Sequence, residues 1–545
     1  MKPRFQQRPI FAFLRHRLPL IFIFVWIFIL VLVLFVCNVT WSDSSVESDT
    51  QLHTDARILS NRDPSPCATV EEMGEAFRSR TISSPSDMEN LRVRSLIQAH
   101  FNLHGADNVR RLPPDQFCQQ GFVIAKASEA GIGNEMYKIL TAAALSIMLN
   151  RSLIIGQTRG AYPFENYVSY SNLSLTMKEV KHLWRKNKCV ETYGFKLVIR
   201  IDDFERPKET NVLCQDWKIW TQPIIWFKGT TDAVGIQFFL KNIHPQMRDA
   251  ASSLFGKQRA NVYGELMRVI LCPSQAIKEI VDWALNGGAN PDMALHMRMM
   301  NNRPVRAKNA ALNCVRKALQ NHQYQIIKPR IVLVSDTPSF IQDIMPGLME
   351  FSDVIHFDYK SFLGSIPGKN ISGQHQLDFR IKDWGPAPRW VAFVDFFLAA
   401  RAKYAVISGA HRRVGTTYAQ LLAALAATNH LGVSVSSPPS NFSFFSSFQS
   451  SLLNGGLANQ IGWGHVWNRF AGPLSCRNQP HQCAYTPLLP FAWWDEDWQS
   501  PISRDIRRLQ EYGVQLTVKG KVINRSLELF CKLRKNSVKI IPIIL

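Results

Sequence analysis

Short apolar segments alternate with longer segments of helical character in two stretches of the chain, and this alternation restricts the fold more than any other feature. In the first stretch, Phe122–Ala125 has the composition of a short strand, and residues 126–133 form a loop with two glycines. Asn134–Asn150 is rich in alanine, leucine, isoleucine and methionine, which favour a helix, and Ser152–Gly156 is typical of a second strand. This stretch predicts a unit of strand, loop, helix and strand.

The second stretch repeats the alternation. It predicts, in chain order, strand Met293–Met300, a helix near Lys308–Gln320, strand Arg330–Ser335, a helix near Pro338–Glu350, strand Val354–Phe357, helix Trp390–Ala402, strand Tyr404–Ser408, helix Gly415–Thr428 and strand Gly432–Ser436. Strands that alternate with helices form parallel sheets covered on both faces. Because a Trp-rich region at 210–285 separates the two stretches, the sequence predicts an α/β fold with two Rossmann-like lobes that face a cleft.

An uncharged run, Leu18–Cys37, precedes both stretches. About 20 residues of helix cross a hydrocarbon layer of about 30 Å, so the run predicts one N-terminal transmembrane helix. Four arginines precede it, and serines and acidic residues follow, which places the N-terminus in the cytosol and the bulk of the chain in the lumen. A cleaved signal peptide is the alternative, but its apolar core is usually about 7 to 15 residues. Both interpretations send residues 40–545 into the secretory pathway.

These features divide the chain into six regions. We expect a cytosolic tail at 1–17, a transmembrane signal anchor at 18–37, a stem rich in Ser, Thr, Asp, Glu and Pro at 38–90, a first lobe at 91–285, a second lobe at 286–440, and an aromatic and Pro-rich C-terminal extension at 441–545 that opens with a long loop or arm.

Composition limits the kind of partner. The chain has 545 residues and is 46% hydrophobic, which excludes disorder as its main state. A formal net charge of +21 suits an anionic partner. Nucleic acid would satisfy the charge alone, but the lumenal address argues against it. Nucleotide diphosphate-sugars, acidic polysaccharides and anionic lipid surfaces remain as candidate partners.

The chain has ten cysteines, and the nine beyond Cys37 could form disulfides in an oxidising lumen, with one left over. Cys476 with Cys483 is the expected local bridge, and Cys189 with Cys214 is a weaker expectation. The sequence has no C-x-x-C pair, which argues against a zinc ribbon.

Three segments could carry chemistry, and each has a plain structural alternative. Gly131 and Gly133, before Asn134, lie between a strand and a helix, where glycines let the backbone approach a ligand and helix amides face an anion. The alternative is a simple tight turn.

The second segment lies near the end of a strand. His296 and Arg298 alternate there, so they share a face at the edge where open α/β sheets bind ligands. An arginine there suits a diphosphate, and a surface ion pair is the alternative.

The third segment combines a helix with a strand and the loop that follows it. Asp395 lies in the helix Trp390–Ala402, while Ser408 ends a strand and His411 follows in the loop before the next helix. Ser408, His411 and backbone amides could hold phosphate at that helix N-terminus. In the plain alternative, Asp395 is a surface charge and Ser408 a helix cap.

Together these segments resemble the fucosyltransferase superfamily that includes plant xyloglucan fucosyltransferases, α1,6-fucosyltransferases and protein O-fucosyltransferases. The order and spacing of short motifs between residues 120 and 435 carry the resemblance. The motifs are Gly131-Ile132-Gly133-Asn134 with Leu149–Ile155, His296-Met297-Arg298, Ser335-Asp336, Val394-Asp395, Ser408-Gly409-Ala410-His411 and Gly415-Thr416-Thr417-Tyr418-Ala419.

The resemblance implies a GT-B-like fold, GDP-fucose as donor, no obligatory metal, and inversion at the anomeric carbon by direct displacement. It implies an acceptor-side first lobe and a nucleotide-sugar side in the second. In the family the His-x-Arg contacts GDP, with the arginine on the β-phosphate. The strand-end aspartate matches Asp336, the aspartate that reads guanine matches Asp395, and a Ser/Thr-rich loop holds phosphate. The implied protein is a single-pass type II enzyme of the Golgi membrane that acts on a glycan or glycoprotein, with wall polysaccharide among the candidates.

The base that removes the acceptor proton is expected to be Glu129, beside the glycine loop, with Glu135 as second choice. Acidic residues also occur at helix N-termini because they complement the helix dipole. The chain departs from the family pattern at Glu135, Asn301 and His411, which motivates a second hypothesis, a catalytically silent relative that binds glycans or acts as a scaffold.

A third hypothesis is a metal-dependent UDP-sugar transferase. It rests on the Asp-x-Asp in Trp493-Trp494-Asp495-Glu496-Asp497-Trp498, because such a pair can hold a divalent metal. It ranks lower, because Pro490 and bulky aromatic residues precede the pair where a buried strand would be expected.

Overall fold

The structure is a computed structural model. It describes residues 86–127, 131–157, 167–169, 173–203, 214, 217–228, 261–300, 303, 305–321, 328–365, 387–410, 417–430, 442–448, 482–486, 510, 515, 523–533 and 538–545. The predicted tail, the anchor at 18–37 and most of the stem lie outside these residues. Within them, no helix is both long enough and apolar enough to cross a bilayer.

The first half of the described chain supplies one sheet and the helices around it. Its elements are α1 Ser86–His104, α2 Ala106–Val109, α3 Pro114–Gln119, β1 Phe122–Ala127, α4 Ile132–Met148, β2 Ser152–Gln157, β3 Val168–Ser169, α5 Met177–Lys186, β4 Val198–Asp203, a 3-10 turn Trp217–Ile219, β5 Ile224–Lys228, α6 Val262–Ile270, β6 Cys272–Pro273 and α7 Gln275–Leu285. The folded part thus begins with a helix at Ser86 rather than at residue 91, inside the predicted stem.

The second half supplies the other large sheet. Its elements are β7 Met293–Arg298, α8 Val305–Asn321, β8 Arg330–Ser335, α9 Pro338–Met349, β9 Asp353–Ile355, α10 Tyr359–Ser365, α11 Arg389–Ala399, β10 Ala405–Ala410, α12 Thr417–His430, β11 Ser443–Phe448, β12 Gln482–Thr486, α13 Asn524–Lys532 and β13 Lys539–Pro542. The predicted strand Gly432–Ser436 lies outside the described residues.

Two large sheets organise these elements. The first has the strand order β13-β4-β5-β1-β2 and the second β12-β11-β10-β7-β8-β9. Within each sheet the strands are parallel except at one edge, where β13 and β12 pair antiparallel. The α/β fold with parallel sheets is therefore confirmed. The cleft between two facing lobes stays a prediction.

One apolar core includes the inner faces of both sheets. It contains Val123 and Ile225 from the first sheet, Ala294 and Val406 from the second, and buried side chains of α4, α6, α11 and α12 between them. Two further clusters cover the outer faces. The large helices of the two halves thus pack on one another, and the described residues belong to one compact unit.

A buried polar network ties α1, α6 and α12 together inside this core. The Arg94 guanidinium donates to both carboxylate oxygens of Glu265, at 2.8 and 3.0 Å. The side-chain amide of Asn261 donates to the Ala424 carbonyl at 2.7 Å and to the Thr428 hydroxyl at 2.8 Å. Because buried polar groups are costly when unpaired, these bonds fix how the three helices sit against each other.

The chain beyond residue 440 completes both sheets instead of following them as a separate extension. Strand β11 pairs with β10 in the second sheet, in the region predicted as a long loop, and β12 closes that edge. Strand β13 pairs with β4 and closes the edge of the first sheet. The boundary at 440 is therefore wrong, because the backbone groups at these sheet edges find their partners late in the chain.

Both predicted disulfides are wrong. Cys189 bonds to Cys118 and Cys483 bonds to Cys314, so neither pairs with its predicted partner. The third pair, Cys214–Cys531, joins residues 317 apart in sequence, and Cys272 is a free, exposed cysteine. The predicted pairs were chosen because their cysteines are close in sequence. A disulfide instead needs its two α-carbons within about 7 Å in space, and the bonded pairs here are 71 and 169 residues apart in sequence.

Candidate active site

The carboxyl edge of the second sheet carries four of the predicted donor-binding residues, namely His296, Arg298, Asp336 and Ser408. His296 and Arg298 lie on β7 and share a face, and Ser408 on β10 is the register partner of His296. In a parallel pair, register partners project to the same side of the sheet. His296, Arg298 and Ser408 therefore lie on the inner face, towards α11 and α12.

The side chain of His296 is buried near the end of β7. Its side chain is 6% exposed, and its Nδ1 has no partner among the described residues. The imidazole stacks on the Tyr418 ring, with centroids 4.9 Å apart. Burial, and secondarily the charge of Arg298, lowers the pKa of His296 to about 3. The ring is therefore neutral at physiological pH, and it can donate or accept a hydrogen bond with a ligand.

Arg298 is held at the strand end by Asp336. Its Nη1 lies 2.9 Å from Asp336 Oδ2, and its side chain keeps 23% of its surface exposed. The Asp336 carboxylate also accepts the backbone N–H groups of Met299 and Met300, at 2.7 and 3.0 Å, in a turn where Met300 has φ +54°. Asp336 thus stabilises the turn after β7 and orients the guanidinium.

Two further buried oxygens have no partner in the part of the chain that the structure describes. One is Oγ of Ser408, whose residue is fully buried, and the other is Oδ1 of Asp395 on α11. Burial raises the pKa of the Asp395 carboxyl to about 8. His296, Ser408 and Asp395 thus hold three of the eight buried polar atoms without a partner in the described residues, and a site lined for a polar ligand would show atoms of this kind.

Tyr418, at the start of α12, links these residues. Its hydroxyl donates to the Ala392 carbonyl at 2.8 Å, on the same helix as Asp395, and its ring meets Phe396 edge-on at 5.3 Å between centroids. With the stack on His296, one side chain contacts both the helix that carries Asp395 and the strand that carries Arg298.

The glycine segment reaches the same place from the first half. Helix α4 begins at Ile132 with Gly131 at its N-cap, so Gly133 and Asn134 lie in its first turn and not in a loop before it. A β-carbon on Gly133 would lie 2.6 Å from the backbone nitrogen of Tyr418. The Thr417 hydroxyl donates to the Asn134 side chain at 3.1 Å. Gly133 is therefore needed for the close contact between the starts of α4 and α12.

Several predicted residues fall elsewhere. Glu129, His411 and the Asp495–Asp497 pair lie outside the described residues. Glu135, the second choice for the base, is fully buried, and its Oε1 accepts from Lys138 at 2.9 Å. Across the described ranges, no group of three or more His, Cys, Asp or Glu is placed to hold a metal.

Two features were not predicted from the sequence. Tyr418 was assigned no role, although it directly follows the Gly415-Thr416-Thr417 run of a resembled motif. Strand β4 was not predicted either, although its alternating Val198-Ile199-Arg200-Ile201-Asp202 has the period of a strand. Arg200 pairs with Asp202 at 2.9 Å there and lies over the Trp220 ring.

The raised pKa of Asp395 predicts a specific pH dependence of stability. The folded protein keeps the carboxyl protonated up to about pH 8, whereas the unfolded chain releases this proton near pH 4. The stabilisation is therefore complete below about pH 4 and is lost as the pH rises to about 8. Asp395→Asn stays neutral, so we expect its free energy of unfolding to gain on the wild type steadily across this interval, measured by urea unfolding. Asp343→Asn, at an exposed aspartate, is the control. Parallel profiles for Asp395→Asn and wild type would contradict the prediction.

Comparison with solved structures gives distant similarities. A mutant of Arabidopsis thaliana FUT1 with GDP is 11% identical, with a TM-score of 0.40, over 68% of this chain and 84% of that chain. The Bradyrhizobium fucosyltransferase NodZ is 13% identical, with a TM-score of 0.31, over 56% and 92%. POFUT1 with GDP-fucose is 12% identical, with a TM-score of 0.32, over 60% and 98%.

These three are fucosyltransferases, the class that the sequence motifs resemble. Because the TM-scores and identities are low, no residue role is transferred from them. None of the curated proteins compared matches the chain. One family model matches residues 62–543, which is most of the chain, and its description is a family of unknown function, DUF7810. The chain therefore belongs to the DUF7810 family.

Proposed function

We propose that this chain is a glycosyltransferase that takes a sugar from a nucleoside diphosphate donor, with GDP-fucose as the leading candidate. The observation that carries the proposal is the convergence of unsatisfied buried polar atoms beside a guanidinium. The three atoms are Nδ1 of His296, Oγ of Ser408 and Oδ1 of Asp395, and Arg298 ends the same strand as His296. These residues lie on β7, β10 and α11, and Tyr418 at the start of α12 contacts both β7 and α11.

This arrangement suits a ligand with a diphosphate at one end and a hydrogen-bonding base at the other. Arg298 is permanently charged and planar, and it can bind two phosphate oxygens at once. The Ser408 hydroxyl and the neutral His296 ring add hydrogen-bond donors for phosphate. Asp395 supplies a buried carboxyl group for the base. An N–H and an amino group of guanine would donate hydrogen bonds to its oxygens and would thereby favour the carboxylate form, which burial alone disfavours.

In the proposed reaction, an acceptor hydroxyl attacks the anomeric carbon of the donor while the bond from that carbon to the diphosphate oxygen breaks. The diphosphate leaves with the bonding electron pair, and Arg298 stabilises the negative charge that develops on it. Attack opposite the leaving group inverts the anomeric centre. The acceptor proton passes to a base, for which Glu129 remains the candidate.

The remaining parts of the proposal come from the sequence. The uncharged run at 18–37 would anchor the protein in the Golgi membrane with its catalytic part in the lumen, and the acceptor would be a glycan or glycoprotein. No obligatory metal forms part of the proposal. A silent glycan-binding relative is the second candidate, because the chain departs from the family pattern at Glu135, Asn301 and His411. At the first of these positions the resembled family often has a basic residue, whereas Glu135 is buried and pairs with Lys138.

The test is binding and donor cleavage by the purified full-length chain in detergent. We expect calorimetry to show GDP binding that EDTA does not weaken, and GDP-fucose to be hydrolysed faster than GDP-mannose or UDP-sugars. Turnover of a UDP-sugar only, and only with manganese, would favour the metal-dependent alternative. Tight GDP binding without cleavage of any donor would favour the silent relative, and the absence of nucleotide binding would contradict the proposal.

A further inference from the structure

We propose that Tyr418 is a positioning residue that fixes the distance between the two halves of the donor site. One half is the Asp395 carboxyl on α11, and the other is formed by His296 and Ser408 at the sheet edge. This inference rests on the proposed function, because it requires one ligand to occupy both halves.

The Tyr418 ring positions the sheet half. It stacks on the imidazole of His296 with an interplanar angle of 27° and a centroid separation of 4.9 Å. Because His296 Nδ1 has no partner in the described part of the chain, hydrogen bonds from this nitrogen do not set the plane of the ring there. The stack on Tyr418 does.

The Tyr418 hydroxyl positions the helix half. It donates to the Ala392 carbonyl at 2.8 Å, one turn before Asp395 on α11. Phe396, the residue after Asp395, meets the Tyr418 ring edge-on, with an interplanar angle of 80°. The hydroxyl bond and the ring contact fix both the height and the rotation of the turn that carries Asp395.

The backbone of Tyr418 is itself held by the first half of the chain. There is no room for a β-carbon on Gly133, which packs directly on the Tyr418 nitrogen and α-carbon. Beside it, the Thr417 hydroxyl bonds to Asn134. These contacts with α4 hold the backbone of Tyr418 independently of both halves of the donor site. Tyr418 can therefore act as a spacer between the two halves.

A spacer of this kind affects a ligand that spans both halves and leaves ligands of one half unaffected. Linking two fragments raises affinity only when both sites are held at the separation that the linked ligand requires. Guanosine should use the Asp395 half, inorganic pyrophosphate the sheet half, and GDP both. Loss of the spacer should therefore weaken GDP selectively.

The experiment measures binding of these three probes by calorimetry and competition. The full-length chain is compared with Y418F, which keeps the ring but loses the bond to Ala392. We expect Y418F to bind GDP about 10-fold more weakly, with guanosine and pyrophosphate changed by less than about 2-fold. Phe396→Leu, which removes the edge contact but leaves Tyr418 in place, should show the same pattern to a smaller extent, and it provides the test should Y418F fold poorly.

The matched control is Y137F. The Tyr137 hydroxyl also donates a buried 2.8 Å hydrogen bond to α12, at Gln420, and its ring packs against Tyr263 of α6. A loss of hydroxyl bonding that only loosens the helices would lower GDP affinity equally in Y137F and Y418F, or weaken all three probes together. Either result would overturn the positioning role, and so would unchanged GDP affinity in Y418F. A wild-type chain that binds none of the three probes would instead overturn the proposed function, and the positioning role with it.

Discussion

Replacing Arg298 with alanine is expected to lower the rate of GDP-fucose cleavage by about 100- to 1,000-fold, which is the usual cost of removing one group that stabilises charge developing in a transition state. Arg298 ends β7 on the inner face of the sheet, and its guanidinium is oriented by Asp336 at 2.9 Å. The measurement is GDP release from GDP-fucose in saturating donor, because the lost interaction acts mainly on the chemical step.

Two further variants make this result specific. Arg298→Lys keeps the charge but loses the planar fork, so its rate should lie between those of the wild type and Arg298→Ala. Arg303→Ala removes an arginine whose side chain is 55% exposed and whose partner Asp343 is 3.8 Å away, and it should leave the rate unchanged. An Arg298→Ala protein that folds normally and cleaves GDP-fucose at the wild-type rate would contradict the role proposed for Arg298.

Replacing Gly133 with alanine is expected to lower the free energy of unfolding by about 1–3 kcal/mol, the usual cost of forcing a methyl group into a packed core. The new β-carbon would meet the Tyr418 nitrogen at 2.6 Å and its α-carbon at 2.9 Å. Both are backbone atoms, so the clash can be relieved only by separating α4 from α12. The measurement is urea unfolding, and GDP affinity should fall in parallel because the same shift moves Tyr418.

Gly156→Ala is the control for this substitution. Its β-carbon would meet Ile124 Cδ1 at 3.7 Å, which is ordinary contact, so its stability should match the wild type or rise by about 0.4–1 kcal/mol through the stiffer unfolded chain. If Gly133→Ala were as stable as Gly156→Ala, the tight contact between the starts of the two helices would be disproved.

Local pattern predicted most of the parallel strands and the helices between them. Strand Arg330–Ser335 has the predicted bounds, and the bounds of Met293–Arg298 differ only at the end of the strand. Such elements are predictable because buried parallel strands are short continuous apolar runs, whereas the helices around them carry an apolar face at helical spacing. Strand β4 was not predicted, because Arg200 and Asp202 interrupt its apolar run and only the structure shows that these two residues are buried as an ion pair.

The same local pattern predicted part of the candidate site. The two-residue period of a strand placed His296 and Arg298 on one face at its carboxyl end, as the structure has them. The pairing of Arg298 with Asp336 and the stack of His296 on Tyr418 could not be predicted in this way, because each joins residues that meet only when strands and helices have been assembled.

The sequence by itself determined the α/β class, the order of most strands and helices, and the residues that reach the carboxyl edge of the second sheet, because each of these depends on neighbours a few positions away. Only the tertiary structure decided which cysteines pair, which late strands close the two sheets, and how Gly133 contacts Tyr418. These are contacts between distant positions, up to 317 residues apart for Cys214 and Cys531. Hydrophobic periodicity records which side of an element is buried, but it carries no information about which distant element covers that side.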